Sequence, residues 1–133
     1  MLDDIDGVND AIAVQVPREG RYTRPMLVAL WDQLRNLPGV LALFVTTTDR
    51  PNQVVRFSEI LAVSGLDAVQ QGNEHARISR VSKTLFGEGM WPIEKWQGSP
   101  GKNGEKAEML YRAGSTVSEW WREIQANESA QTR

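Results

Sequence analysis

The sequence predicts a mainly α-helical domain with one small β-hairpin, an α+β fold. Three observations carry this. Apolar residues recur at three- and four-residue spacing in several separate stretches. One Gly-rich turn cluster, residues 97–106, lies between two short β-prone runs. The 133 residues show no internal repeat and no linker that would split a domain.

Residues 1–22 read as an N-terminal arm. Ile12, Val14 and Val16 alternate with Ala13 and Gln15, which fits a short strand; a helical arm or flexible chain fits nearly as well. Asp3, Asp4, Asp6 and Asp10 make its start acidic. No neighbouring ligand pattern supports a metal site there, so a solvated acidic end is the simpler reading. The domain proper spans 23–127. Thr23 near the N-cap and Pro25 in the first turn open a helix. Met26, Leu27, Leu30, Trp31, Leu34 and Leu37 form its stripe, and Pro38-Gly39 ends it. Residues 40–48 suit strand or helix equally on propensity. A helix is chosen because the helices after it need a platform.

Residues 53–56 read as a short extended piece. A helix from Ser58 comes next, with Phe57, Ile60, Leu61 and Val63 apolar and Gly65 as its stop. The next helix is expected to be capped by Asn73, with Glu74 in its first turn. Ile78, Val81 and Leu85 would form its buried stripe. Arg77, Ser79, Arg80, Ser82 and Lys83 are left for the outside, and nothing acidic occurs from His75 to Gly87. A face with small polar residues, three cations and no acids can enter the major groove and touch phosphates and base edges. Residues 90–96 and 107–112 are the hairpin strands, the first limited to an edge by Pro92. Lys102, Asn103 and Lys106 stand at the tip. Ser115 caps a last helix, and residues 128–133 are a polar tail.

Composition narrows the function classes. The formal net charge is −2, but residues 75–106 hold Arg77, Arg80, Lys83, Lys95, Lys102 and Lys106 against Glu88, Glu94 and Glu105. A locally basic segment in an acidic chain suits a protein that meets phosphate on one face. There are no cysteines, which fits a reducing cytoplasm, and the acidic start lacks signal-peptide character. The longest apolar run, 40–45, is too short to span a membrane. His75 is the sole histidine, too isolated for a metal site or catalytic dyad, and reads as a surface residue near phosphate. Residues 98–104 have the wrong spacing for a phosphate-binding loop. No carboxylate pair or nucleophile–base set stands out, so the expectation is a non-enzyme without cofactor. Trp31, Trp120 and Trp121 lie on helix stripes and read as core or subunit interface. Trp91 and Trp96 fall five apart, on opposite faces of a regular strand.

Four pieces in order resemble the winged helix-turn-helix regulators of the MarR (multiple antibiotic resistance regulator) type. FSEILAVSGL resembles the family's first turn-helix, ISRVSKTL its recognition helix, FGEGMW the exit into the wing, and LYRAG the close of the wing. The resemblance implies a sequence-specific regulator of double-stranded DNA in the cytoplasm, at the nucleoid. Arg77, Ser79, Arg80, Ser82 and Lys83 would make base and phosphate contacts, and Lys102, Asn103 and Lys106 would touch the minor groove or backbone. A homodimer would form through the helices from Met26 to Leu37 and from Thr116 to Ile124, and a small-molecule effector is compatible with the family. Two departures stand out. The link from Gly65 to Ile78 is about seven residues longer than the family's turn, so either Leu66–Gln71 add a helical turn or the recognition helix begins earlier, and the helix after the wing is short. The rival readings are a plasmid or phage replication or partition protein and a winged helix used only for protein contacts.

Overall fold

Apolar periodicity becomes five helices and three short strands in the computed structural model, which describes residues 21–99 and 107–131. The described chain is mainly helical with a small antiparallel sheet, an α+β architecture. Helix α1 is Arg24–Leu34, with Thr23 Oγ1 accepting from Met26 N at 3.3 Å. It stops three residues short of Leu37. Its stripe of Leu27, Leu30, Trp31 and Leu34 is buried.

The ambiguous stretch is a helix, α2 (Pro38–Asp49). Its β-prone residues are tolerated because most of this helix is covered: Val40, Ala42, Leu43, Phe44 and Thr46, Thr47 and Thr48 are all buried. Two threonines return their hydroxyls to the helix itself, Thr47 Oγ1 to Leu43 O at 2.8 Å and Thr48 Oγ1 to Phe44 O at 2.6 Å.

Strand β1 (Val55–Arg56) leads directly into α3 (Phe57–Ser64). Helix α4 is Ala68–Phe86, 19 residues, and therefore about 28 Å long. It begins five residues before Asn73, the expected cap. Asp67 is the N-cap: its Oδ1 accepts from Gln70 N at 2.8 Å while Gln70 Oε1 accepts from Asp67 N at 3.1 Å. This reciprocal box satisfies two donors at once and fixes the start. Gly65 (φ 75°) and Gly87 (φ 84°) terminate α3 and α4 in the left-handed conformation that glycine adopts without strain.

The expected hairpin is the pair β2 (Glu94–Gln97) and β3 (Met109–Arg112), with Lys95 opposite Tyr111 and Trp96 opposite Leu110. It gains a third strand, since Val55 of β1 pairs with Tyr111, giving the order β1-β3-β2. The regular strand starts only at Glu94, so the opposite-face rule for Trp91 and Trp96 does not apply. Both are buried. Residues 100–106, including Lys102, Asn103 and Lys106, lie outside the described residues, as do 1–20 and 132–133.

Helix α5 is Ser115–Gln131. The expected polar tail is thus helical through residue 131. Glu128 is held there by Trp31 Nε1, which donates to Oε2 at 3.1 Å, and by the Arg35 guanidinium. The core joins α1, α2 and α5 through three rings: Trp31 and Trp121 meet at 4.7 Å, and Phe44 and Trp121 at 5.0 Å between centroids. Trp31 and Trp121 are therefore core residues of this chain.

Candidate nucleic-acid interface

Helix α4 is held to the body along a line that is mostly polar. Its buried residues are Gln71, His75, Ile78 and Ser82, at i, i+4, i+7 and i+11. The expected stripe is Ile78, Val81 and Leu85. Only Ile78 is fully buried; Val81 is partly covered and Leu85 is 41% exposed. The N-terminal half, which the expected stripe omits, rotates the true seam away from Leu85.

Each polar anchor makes a hydrogen bond, though Gln71 Oε1 has no partner among the described residues. Gln71 Nε2 donates to Gly39 O and to His75 Nε2, both at 2.8 Å. An amide nitrogen only donates, so His75 Nε2 is the acceptor and the ring proton sits on Nδ1, 3.2 Å from the Tyr111 hydroxyl. Glu74 Oε1 accepts from Gly39 N at 2.6 Å and Val40 N at 3.2 Å, closing the first turn of α2. A Cβ on Gly39 would stand 2.8 Å from that same oxygen, so this contact needs glycine. Ser82 Oγ and the Tyr22 hydroxyl lie 3.0 Å apart, and Trp91 Nε1 donates to Ser79 Oγ at 2.8 Å.

Two expected contact residues are corrected by this geometry. His75 is 7% exposed, ringed by Phe57, Trp91 and Tyr111, and faces the sheet. Ser82 is fully buried against Tyr22. Neither can reach a ligand on the outer face. Ser79 is half-buried with its hydroxyl already engaged by Trp91, so it positions the approach to the sheet. Burial lowers the His75 pKa to about 4, with nearby Lys95 adding to the effect. Burial likewise raises Tyr22 to about 12 against the opposing hydrogen bond from Ser82, and pushes Tyr111 up as well. Lys95 is lowered by burial, its Nζ sitting 4.1 Å from the Trp91 ring centre.

The exposed face of α4 carries Val69, Gly72, Asn73, Ala76, Arg77, Arg80, Lys83 and Thr84. Arg80 stands opposite the buried line, and Asn73 lies two turns before it on the same side. Residues 72 and 76 are small, so a partner surface can come close to the helix. Five arginines (Arg21, Arg24, Arg35, Arg50 and Arg112) are held in ion pairs. Arg77, Arg80 and Lys83 have no carboxylate partner among the described residues. Arg77 and Arg80 also edge a groove of about 210 Å³ between α1 and α4, completed by Gln33, Val81, Thr84 and Leu85.

Asn73 and Gln33 are not among the expected site residues. Asn73 reads locally as a cap. The signal against that lies in Asp67-Ala68-Val69-Gln70, a capping-box pattern six residues upstream. Gln33 gives no local signal, because its approach to Arg77 and Arg80 depends on how α1 crosses α4.

Among the described residues, no group of three or more His, Asp or Glu side chains is placed to hold a metal ion. No described helix is long and apolar enough to cross a membrane. Comparison of the chain with protein-family models, with curated proteins and with solved structures finds no match.

Proposed function

We propose that this chain is a sequence-specific double-stranded DNA-binding regulator of winged helix-turn-helix type, with α4 as the reading helix. The free face of α4 carries the reading: three cations with no carboxylate partner among the described residues, an amide and small residues, and no acid. Such a face neutralises phosphates and offers donors to base edges. The surrounding order supports it. A short strand, two helices, then a hairpin whose return strand sits between the other two is the arrangement a winged helix uses to flank its reading helix with a wing. Arg80 is the base-reading candidate, because a guanidinium can bond guanine O6 and N7 together, and Asn73 can bond adenine N6 and N7. Arg77 and Lys83 act as phosphate counter-charges. The wing contact is assigned to Lys102, Asn103 and Lys106.

A homodimer belongs to the same proposal, since two copies would read two half-sites. The apolar stripes of α1 and α5 are consumed in this chain's own core. What remains for a second copy is their outer surface and that of α2, where Val28, Leu41 and Val45 are exposed. Light scattering after size exclusion tests this.

The deciding experiment selects preferred sites from random duplexes and then measures Arg80→Ala by gel shift. Arg80→Ala weakens specific binding by about 1–3 kcal/mol with the fold intact. Unchanged affinity for the preferred site removes Arg80 from the reading, and no selectable site removes the function.

A further inference from the structure

The reading face has a candidate occupant in the chain itself. The described chain starts at Arg21, whose guanidinium pairs with Glu88, just beyond the C-terminal stop of α4. Tyr22 then packs edge-on to Phe86, its ring 5.7 Å away. Residues 1–20 are therefore tethered at one end of the helix that carries Arg77, Arg80 and Lys83. They hold five acids, Asp3, Asp4, Asp6, Asp10 and Glu19, against one cation, Arg18. Leu2, Ile5 and Val8 stand between the acids at three-residue spacing.

The groove between α1 and α4 matches this chemistry. Arg77 and Arg80 supply positive charge at its edge. Val81 and the exposed Leu85 supply apolar surface. Twenty residues reach at most about 66 Å, more than twice the ~28 Å length of α4, so the tether spans the whole face. A short tether also raises the local concentration of the acidic segment to the millimolar range, which makes weak single contacts effective.

We infer that residues 1–20 dock in the α1–α4 groove, place their carboxylates on Arg77 and Arg80, and compete with DNA for the free face of α4. The docking stands on charge, reach and groove; the competition rests on the DNA-binding reading above.

The chain has no cysteine, so one substitution gives a unique labelling point. Asn9→Cys carries a nitroxide in the full chain, and amide line broadening is read by NMR. The expected result is strong broadening at Arg77, Arg80 and Thr84, with Val45 and Arg122 on the α2–α5 side unaffected. Combining Asp3→Asn, Asp4→Asn, Asp6→Asn and Asp10→Asn relieves it. Unchanged signals, equal broadening at Val45 and Arg122, or indifference to the neutralised acids overturns the docking. In a parallel duplex titration the neutralised full chain binds random DNA about tenfold tighter at low salt. Broadening with equal duplex affinity keeps the docking and overturns the competition. Broadening when no variant binds duplex keeps the docking and removes the DNA reading instead.

Discussion

His75 and Ser82 lie on the same helix as Arg80 and do the opposite job. Ser82 Oγ and the Tyr22 hydroxyl share a hydrogen bond in a buried site, so the loss of Ser82 leaves Tyr22 only its 3.4 Å bond to Met90 O. Ser82→Ala therefore lowers stability by about 1 kcal/mol in urea unfolding and leaves duplex affinity unchanged. Asn73→Ala, on the exposed side, does the reverse. If Ser82→Ala weakens binding at equal stability, the orientation of α4 is wrong. His75 makes the fold sensitive to pH. Its folded pKa of about 4 lies below its ordinary 6.5. Between these values the unfolded chain takes up the proton and the folded chain does not. The stabilising contribution is complete above pH 6.5, declines as pH falls, and is fully lost below about 4. With about 1.4 kcal/mol per pKa unit, the loss across this window is about 2–4 kcal/mol. His75→Gln removes this part of the pH dependence. Identical stability slopes for the two proteins between pH 6.5 and 4 would show that the ring is not held neutral.

At the scale of the element, α4 owes its position to where it starts. Asp67 and Gln70 satisfy each other's backbone donors. Starting at Ala68 puts Gln71 and Glu74 opposite Gly39, so α4 and the first turn of α2 lock together. Asp67→Ala removes the cap and costs about 1 kcal/mol. It should also raise amide exchange in the first turn of α4 ahead of the rest of the helix. Uniform exchange along α4 in that variant would mean the cap is dispensable. The extra turns explain why the link from Gly65 looks too long in sequence: it is helix, begun earlier than Asn73. They also bring Val69, Gly72 and Asn73 onto the outer face.

For the whole molecule, charge separation matters more than net charge. The described arginines away from α4 are largely occupied by carboxylates, as in Arg112 with Glu94 at 2.6 Å across the sheet and Arg50 with Glu59 at 2.7 Å between α2 and α3. Those on α4 have no carboxylate partner among the described residues. A chain of net charge −2 is thus expected to bind duplex with a salt dependence set by its few phosphate contacts. Lys83→Ala lowers the slope of log affinity against log salt by about 1, at nearly the same cost for every sequence. A slope that stays the same would take Lys83 off the backbone. Helix α5 reaches back over α1 through Glu128, which ties together the two helices furthest apart in the chain.

The sequence by itself determined the α+β class, the order of the elements apart from α2 and β1, and the cations of α4, because these derive from local periodicity, from glycine and proline stops, and from residue identity. It could not determine which side of α4 faces inward. The seam is built from Gln71, His75 and Ser82, polar residues whose burial is tolerated only because Gly39, Tyr111 and Tyr22 meet them across the chain. No hydrophobic pattern announces such a seam. The choice of helix for α2, the third strand at Val55 and the groove joining Gln33 to Arg77 and Arg80 were likewise decided by tertiary contacts. Local preference was even or silent there, and burial against distant elements tipped the balance.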